Sequence, residues 1–111
     1  MKQLFALILM IFTACEGMAK DHTYEINGKE YEGFILKSKG PLLFLIHDWD
    51  GLDGYEKKRS QMLKDLGYSV FATDLFGKGK RPKELSERKR LTGDLYKDRA
   101  KMRRLLNGAF K

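Results

Sequence analysis

A chain of 111 residues, 42% hydrophobic and 33% charged, has the make-up of one small globular domain, which excludes a disordered tract, a collagen-like fibre and a multi-domain assembly. With 2 Pro, 11 Gly and no segment recurring at a fixed period, the chain holds no low-complexity linker, solenoid or tandem array. The net charge of +7 would suit an anionic surface, but from Lys20 onward bases alternate with acids and the aromatics lie in apolar runs, so the charge reads as solvated helix face and no nucleic-acid partner is expected.

The first element is an apolar run at residues 4–12, preceded by Lys2 and followed by small and polar residues. A helix crossing a bilayer needs on the order of 20 apolar residues, whereas the core of a signal peptide needs roughly 7 to 15. Residues 1–19 are therefore expected to be a signal peptide with no transmembrane span, cleaved after Gly17-Met18-Ala19, and residues 20–111 the mature domain. The expected location is exported, periplasmic or secreted. Thr13-Ala14-Cys15 offers an alternative, a lipobox-like site whose Cys15 thiol would carry a lipid anchor. Cys15 is the only Cys, so the mature domain has no disulfide.

Residues 23–26 and 31–36 flank Asn27-Gly28, a dipeptide suited to the positive φ angles of a tight turn, and predict a β-hairpin. Gly40-Pro41 then introduces Leu42-Leu43-Phe44-Leu45-Ile46, an apolar run without alternation that predicts a central strand buried on both faces. The Asp- and Gly-rich residues 47–54 make a loop. Tyr55, Met62, Leu63 and Leu66 fall at helical spacing, with Asp53 placed to cap the start and Gly67 to end the helix.

Residues 68–73 predict a second strand, completing a strand, helix, strand unit whose two strands run parallel. Residues 75–82 form a Gly- and Lys-rich loop, and residues 83–91 a short polar helix. Residues 92–110 close the chain with a second helix, Thr92 as its cap and Leu95, Met102, Leu105, Leu106, Ala109 and Phe110 on the face that packs on the sheet. The fold class is α/β, with a hairpin, a parallel βαβ core and a C-terminal helix, an unfinished sheet for a complete domain.

In open α/β sheets ligands bind beyond the carboxyl ends of the strands. The two exit loops there read His47-Asp48-Trp49-Asp50-Gly51-Leu52 and Asp74-Leu75-Phe76-Gly77-Lys78-Gly79-Lys80-Arg81-Pro82. Asp50 is read as a turn residue and His47 as either a loop-ordering group or a base. Trp49 is either a lid on the core or a wall of a substrate pocket. Lys78, Lys80 and Arg81 either draw in an acidic substrate or form a solvated basic loop. Ser38, Ser60, Ser69 and Ser86 all lie outside a GxSxG setting, and neither a P-loop, a GxGxxG fingerprint nor a metal-binding His and Cys spacing is present. No cofactor and no metal are expected.

A buried strand, His-Asp-Trp-x-Gly-Leu, a helix ending in Leu-Gly-Tyr, a strand and then Asp-Leu-Phe-Gly together resemble the N-terminal portion of the dienelactone hydrolase family, over residues 33–110. The resemblance implies an incomplete α/β-hydrolase fold acting on carboxylic esters or lactones through a Cys, His and Asp triad, the Cys in a GxCxGG turn that also supplies an oxyanion amide. It places Asp48 where the family has a Glu that interacts with the nucleophile, and makes the Trp49 backbone amide the other oxyanion donor. His47, Trp49 and Lys78 of the exit loops are the candidate substrate-binding residues, and the resemblance implies a small ester or lactone as the partner. The shorter Asp reaches less far than Glu. The nucleophile and the triad Asp and His are absent from these 111 residues, so the chain is expected to be truncated and inactive by itself. Two other accounts stay open, a non-catalytic exported binding module that keeps half the fold and a basic surface-binding protein.

Overall fold

The computed structural model describes residues 19–110. The signal peptide expected over residues 1–19 and the lipid-anchor alternative at Cys15 lie outside the described residues, apart from Ala19.

Lys20–Ile26 (β1) and Lys29–Leu36 (β2) form the hairpin, longer at both ends than the apolar pattern predicts. Asn27 and Gly28 take φ of 52° and 80°, the positive values of a two-residue turn whose twist matches the strands. The chain then runs through Leu42–Leu45 (β3), Gly54–Asp65 (α1), Ser69–Ala72 (β4), Leu85–Lys97 (α2) and Arg99–Ala109 (α3). The sheet order is β1-β2-β4-β3, antiparallel between β2 and β4 and parallel between β3 and β4. The expected parallel pair is present inside a mixed sheet.

The strand expected at the centre is at one side. Among the described residues β3 pairs only with β4, and Leu42 and Ile46 are 59% and 52% exposed. The interior strand is β4, whose Val70 and Ala72 are fully buried. An unbroken apolar run reports that a strand wants burial, not which neighbours it takes, and β2 occupies the far side of β4.

Register sorts the side chains onto two faces. Tyr24, Tyr31, Phe71 and Phe44 share one face, joined by ring contacts of 5.6 to 5.9 Å. There α2 and α3 complete the core with Leu91, Leu95 and Leu105, and Phe110 stacks on Phe44 at 4.5 Å. Phe34, Leu36, Val70 and Ala72 share the other face, where α1 packs.

Helix α1 starts as expected. The Asp53 carboxylate accepts the Tyr55 amide and Glu56 accepts the Asp53 amide, a reciprocal cap. It ends in a Schellman arrangement, with Gly67 at φ 103° and the Tyr68 and Gly67 amides donating to Leu63 and Lys64. Gly67 is also where Gly40 arrives: a Cβ on Gly40 would run into the Gly67 carbonyl. The buried stripe of α1 is not its apolar one, however. Glu56 and Ser60 are buried, while Tyr55, Met62 and Leu66 stay 56%, 48% and 75% exposed, beside the unpaired side of β3.

The C-terminal helices also divide differently. Thr92 lies inside α2, and the break falls at Asp98, whose carboxylate accepts the Lys101 amide and caps α3. Asp is a poor interior residue and a strong cap, so it overrides the continuous apolar spacing across residues 92–110.

Candidate active site

The exit loop of β3 is a tight turn built by its own short side chains. Gly51 donates its amide to the Asp48 carbonyl at 3.2 Å, and Asp50 donates to the Asp48 carboxylate at 3.3 Å. A turn of this kind uses the amide of its fourth residue and leaves that of its second unspent. The second residue is Trp49, and among the described residues its N–H donates to no protein acceptor. Gly51 stands at φ 80° against the Lys80 carbonyl and the Phe76 ring, where a side chain would meet both strain and crowding.

His47 fixes this loop to the exit loop of β4. Its Nε2 lies 2.9 Å from the Leu75 amide, which can only donate, so Nε2 is the unprotonated nitrogen. Nδ1 therefore carries the proton and donates to the Asp48 carbonyl at 2.7 Å. Burial pushes the imidazole below its ordinary pKa, in keeping with a neutral ring. Of the two roles open to His47 in the sequence, loop ordering is the one the geometry serves; both nitrogens are spent, leaving the ring as a wall.

The second loop is held from inside by Asp74. Its fully buried carboxylate accepts the amides of Phe76, Gly77 and Glu32 at 2.9 to 3.0 Å and pairs with Arg81 at 3.4 Å. Arg81 in turn donates to the carbonyls of Gly77, Lys80 and Glu32. A buried carboxylate is tolerable because donors surround it. Arg81 is thus a structural partner of Asp74.

Between the loops lies a cavity of about 600 Å³, within the range of small-molecule sites. Ile46, His47, Asp48 and Trp49 line it from β3, and Leu75 and Phe76 from β4. Thr92, Leu95 and Tyr96 of α2 and Met102 of α3 close the remaining side. Trp49 is 43% exposed, with the Arg88 guanidinium 6.0 Å from its ring, so of the two roles left open for it, a pocket wall describes its place. Lys78 is not brought to the cavity; it donates its amide to the Glu30 carbonyl and its ammonium lies 3.8 Å from the Glu30 carboxylate.

The α2 and α3 walls are the part that motif reading misses. Leu95 and Met102 carry a signal as members of the apolar face, but nothing local to Thr92 or Tyr96 marks them as lining residues. Among the described residues no group of three or more His, Cys, Asp or Glu is placed to hold a metal, and no helix is long and apolar enough to cross a membrane.

Residues 32–110 match the Dienelactone hydrolase family. Among solved structures, one named m3DLH superposes with a TM-score of 0.77 at 23% identity over 85% of this chain. A dienelactone hydrolase-like promiscuous phosphotriesterase from metagenomic libraries superposes with a TM-score of 0.74 at 22% identity over 85% of this chain. Both likenesses are of fold, and this chain spans 41% of the length of each. No curated protein gives a significant match.

Proposed function

This chain belongs to the dienelactone hydrolase family, and from that premise we propose that it supplies the oxyanion loop and part of the substrate pocket of an exported hydrolase of carboxylic esters or lactones. The nucleophile and the rest of the triad would come from sequence outside these residues. The single observation that carries this is the Trp49 amide, left without a protein acceptor among the described residues by the turn at residues 48–51, in a residue that lines the cavity. Acyl transfer builds negative charge on one oxygen, and a fixed N–H stabilises that charge without reorganising at the moment of reaction. The His47 bridge is what keeps the amide fixed. Asp48, at the turn's first position, would face the nucleophile as the family's Glu does. Export rests on the pattern of Lys2 and residues 4–12 alone.

The test has two arms. The 111-residue chain should not turn over p-nitrophenyl acetate, and turnover by it would place a nucleophile within these residues and overturn the proposal. In the polypeptide read from the complete frame, Trp49→Pro removes the N–H and should lower kcat about 10²- to 10³-fold, while Trp49→Phe keeps the N–H and most of the rate. Equal rates for the Pro and Phe variants, both with the native circular dichroism spectrum, would remove Trp49 from the oxyanion site.

A further inference from the structure

Two lysines from different elements meet over one glycine of the second exit loop. A Cβ placed on Gly77 would stand 3.1 Å from Lys29 Cε, 3.4 Å from Lys29 Nζ and 3.6 Å from Lys80 Cδ, so the two cationic side chains converge where a side chain at position 77 would be. Lys29 enters from the first residue of β2, where its ammonium donates to the Phe76 carbonyl at 3.4 Å and lies 5.5 Å from the Tyr31 ring. Lys80 is held by its own backbone, whose amide donates to the Gly77 carbonyl at 3.0 Å. Lys101, in the first turn of α3, is the third cation: burial first, and then the charges of Lys80 and Lys101, lower the Lys29 ammonium below its ordinary pKa.

These like charges are gathered without a balancing anion. The acids of the same elements are spent, Glu30 on Lys78, Asp74 on Arg81 and Asp98 on the cap of α3. Alternation along β2 also keeps Glu30 and Glu32 off the face that Lys29 shares with Tyr31. Among the described residues Lys80 and Lys101 have no ion-pair partner, and the Gly79 N–H, at φ 81°, has no protein acceptor.

The geometry points to a binding site for a phosphate group at Lys29, Lys80 and Lys101, with the Gly79 amide as a further donor. Three converging cations suit a compact oxyanion of more than one negative charge, whereas a carboxylate would leave the cluster positive. They suit a single group better than the evenly spaced charges of a nucleic-acid strand. Gly77 keeps the approach clear. None of the three lysines lines the cavity between the exit loops, so the site is separate from the ester pocket and stands whether or not the chain serves a hydrolase.

Inorganic phosphate is the probe. Titrated into the isotopically labelled 111-residue chain, with ionic strength held constant by chloride, it should move the Gly77 and Gly79 amide resonances saturably. Lys80→Gln and Lys101→Gln should each raise the Kd about fivefold, while Lys39→Gln, on the loop before β3, leaves it unchanged. Lys80→Glu puts a carboxylate beside Lys29, so it should abolish the phosphate response and raise Tm in phosphate-free buffer. Shifts that chloride reproduces, equal losses in Lys39→Gln and Lys80→Gln, or a Lys80→Glu variant no more stable than the wild type would each overturn the site. Attachment to phosphatidate vesicles without any response to inorganic phosphate would also overturn it, by assigning the lysines to a membrane surface.

Discussion

Glu56 is 4% exposed, a rare place for a carboxyl with only a backbone amide to receive it. Burial, reinforced by the hydrogen-bonded neighbour Asp53, pushes its pKa from the ordinary 4.5 up to about 7. Folding thus favours the protonated form, so the stability it contributes is complete below about pH 4.5 and is lost as pH rises through about 7. His47 has the opposite sign: burial lowers its pKa, so its contribution stands above the ordinary 6.5 and is lost as pH falls through the lower folded value. Glu56→Gln keeps an acceptor for the Asp53 amide and abolishes the titration. Because His47 is present in both proteins, the stability of the wild type relative to Glu56→Gln, read from urea unfolding, should fall between pH 4.5 and 7, with a slope of at most about 1.4 kcal/mol per pH unit. An identical slope in both proteins would assign the titration to another group.

At the scale of the helices, α2 carries a flaw: the Thr92 hydroxyl is buried with no hydrogen-bond partner among the described residues. Leaving a buried hydroxyl unpaired costs about 1 to 3 kcal/mol, and Val matches Thr in shape and nearly in helix propensity. Thr92→Val should therefore raise stability by about 1 kcal/mol, visible as an increase of roughly 4 to 8 °C in Tm; a lower Tm would mean the hydroxyl finds a partner in solution. This helix also marks where sequence stops being legible. Asn27-Gly28, the Asp53 cap and the Gly67 terminus are written in neighbouring residues, and each is present as expected. The loop at residues 47–54 is equally legible from its Asp and Gly content, whereas Asp48 and Trp49 stand out through the resemblance to the family. The far wall of the cavity is not local: Met102 reaches the same space as Trp49 because Asp98 breaks the helix and lets α3 fold back on the hairpin. The side of the sheet taken by β3, the polar stripe that α1 buries and the turn of Lys78 toward Glu30 are likewise set by distant partners. Each depends on tertiary competition that periodicity does not encode.

On the scale of the whole molecule, the described surface is uneven. Ile46, just past the free strand β3, lines one groove with Tyr55, Met62 and Leu66 of α1, all between 48% and 75% exposed. An unpaired strand edge flanked by apolar side chains invites association with another chain. The 111-residue chain should therefore show a sedimentation coefficient that climbs with concentration, and Met62→Lys with Leu66→Lys should suppress the climb while leaving the melting temperature in place. A chain that sediments as a monomer at every concentration would show that this strip is covered in solution.

The meeting of Gly40 with Gly67 lies at the foot of β3, and the cavity loop lies at its head, only four residues away. A strand that short spans about 13 Å and behaves as a stiff rod. Any side chain wedged in at position 40 would pry the end of α1 off the rod's base, and the far tip would swing with it. The alignment of the loop at residues 47–54 is therefore vulnerable to change at a residue with no functional group at all, at the opposite pole of the sheet.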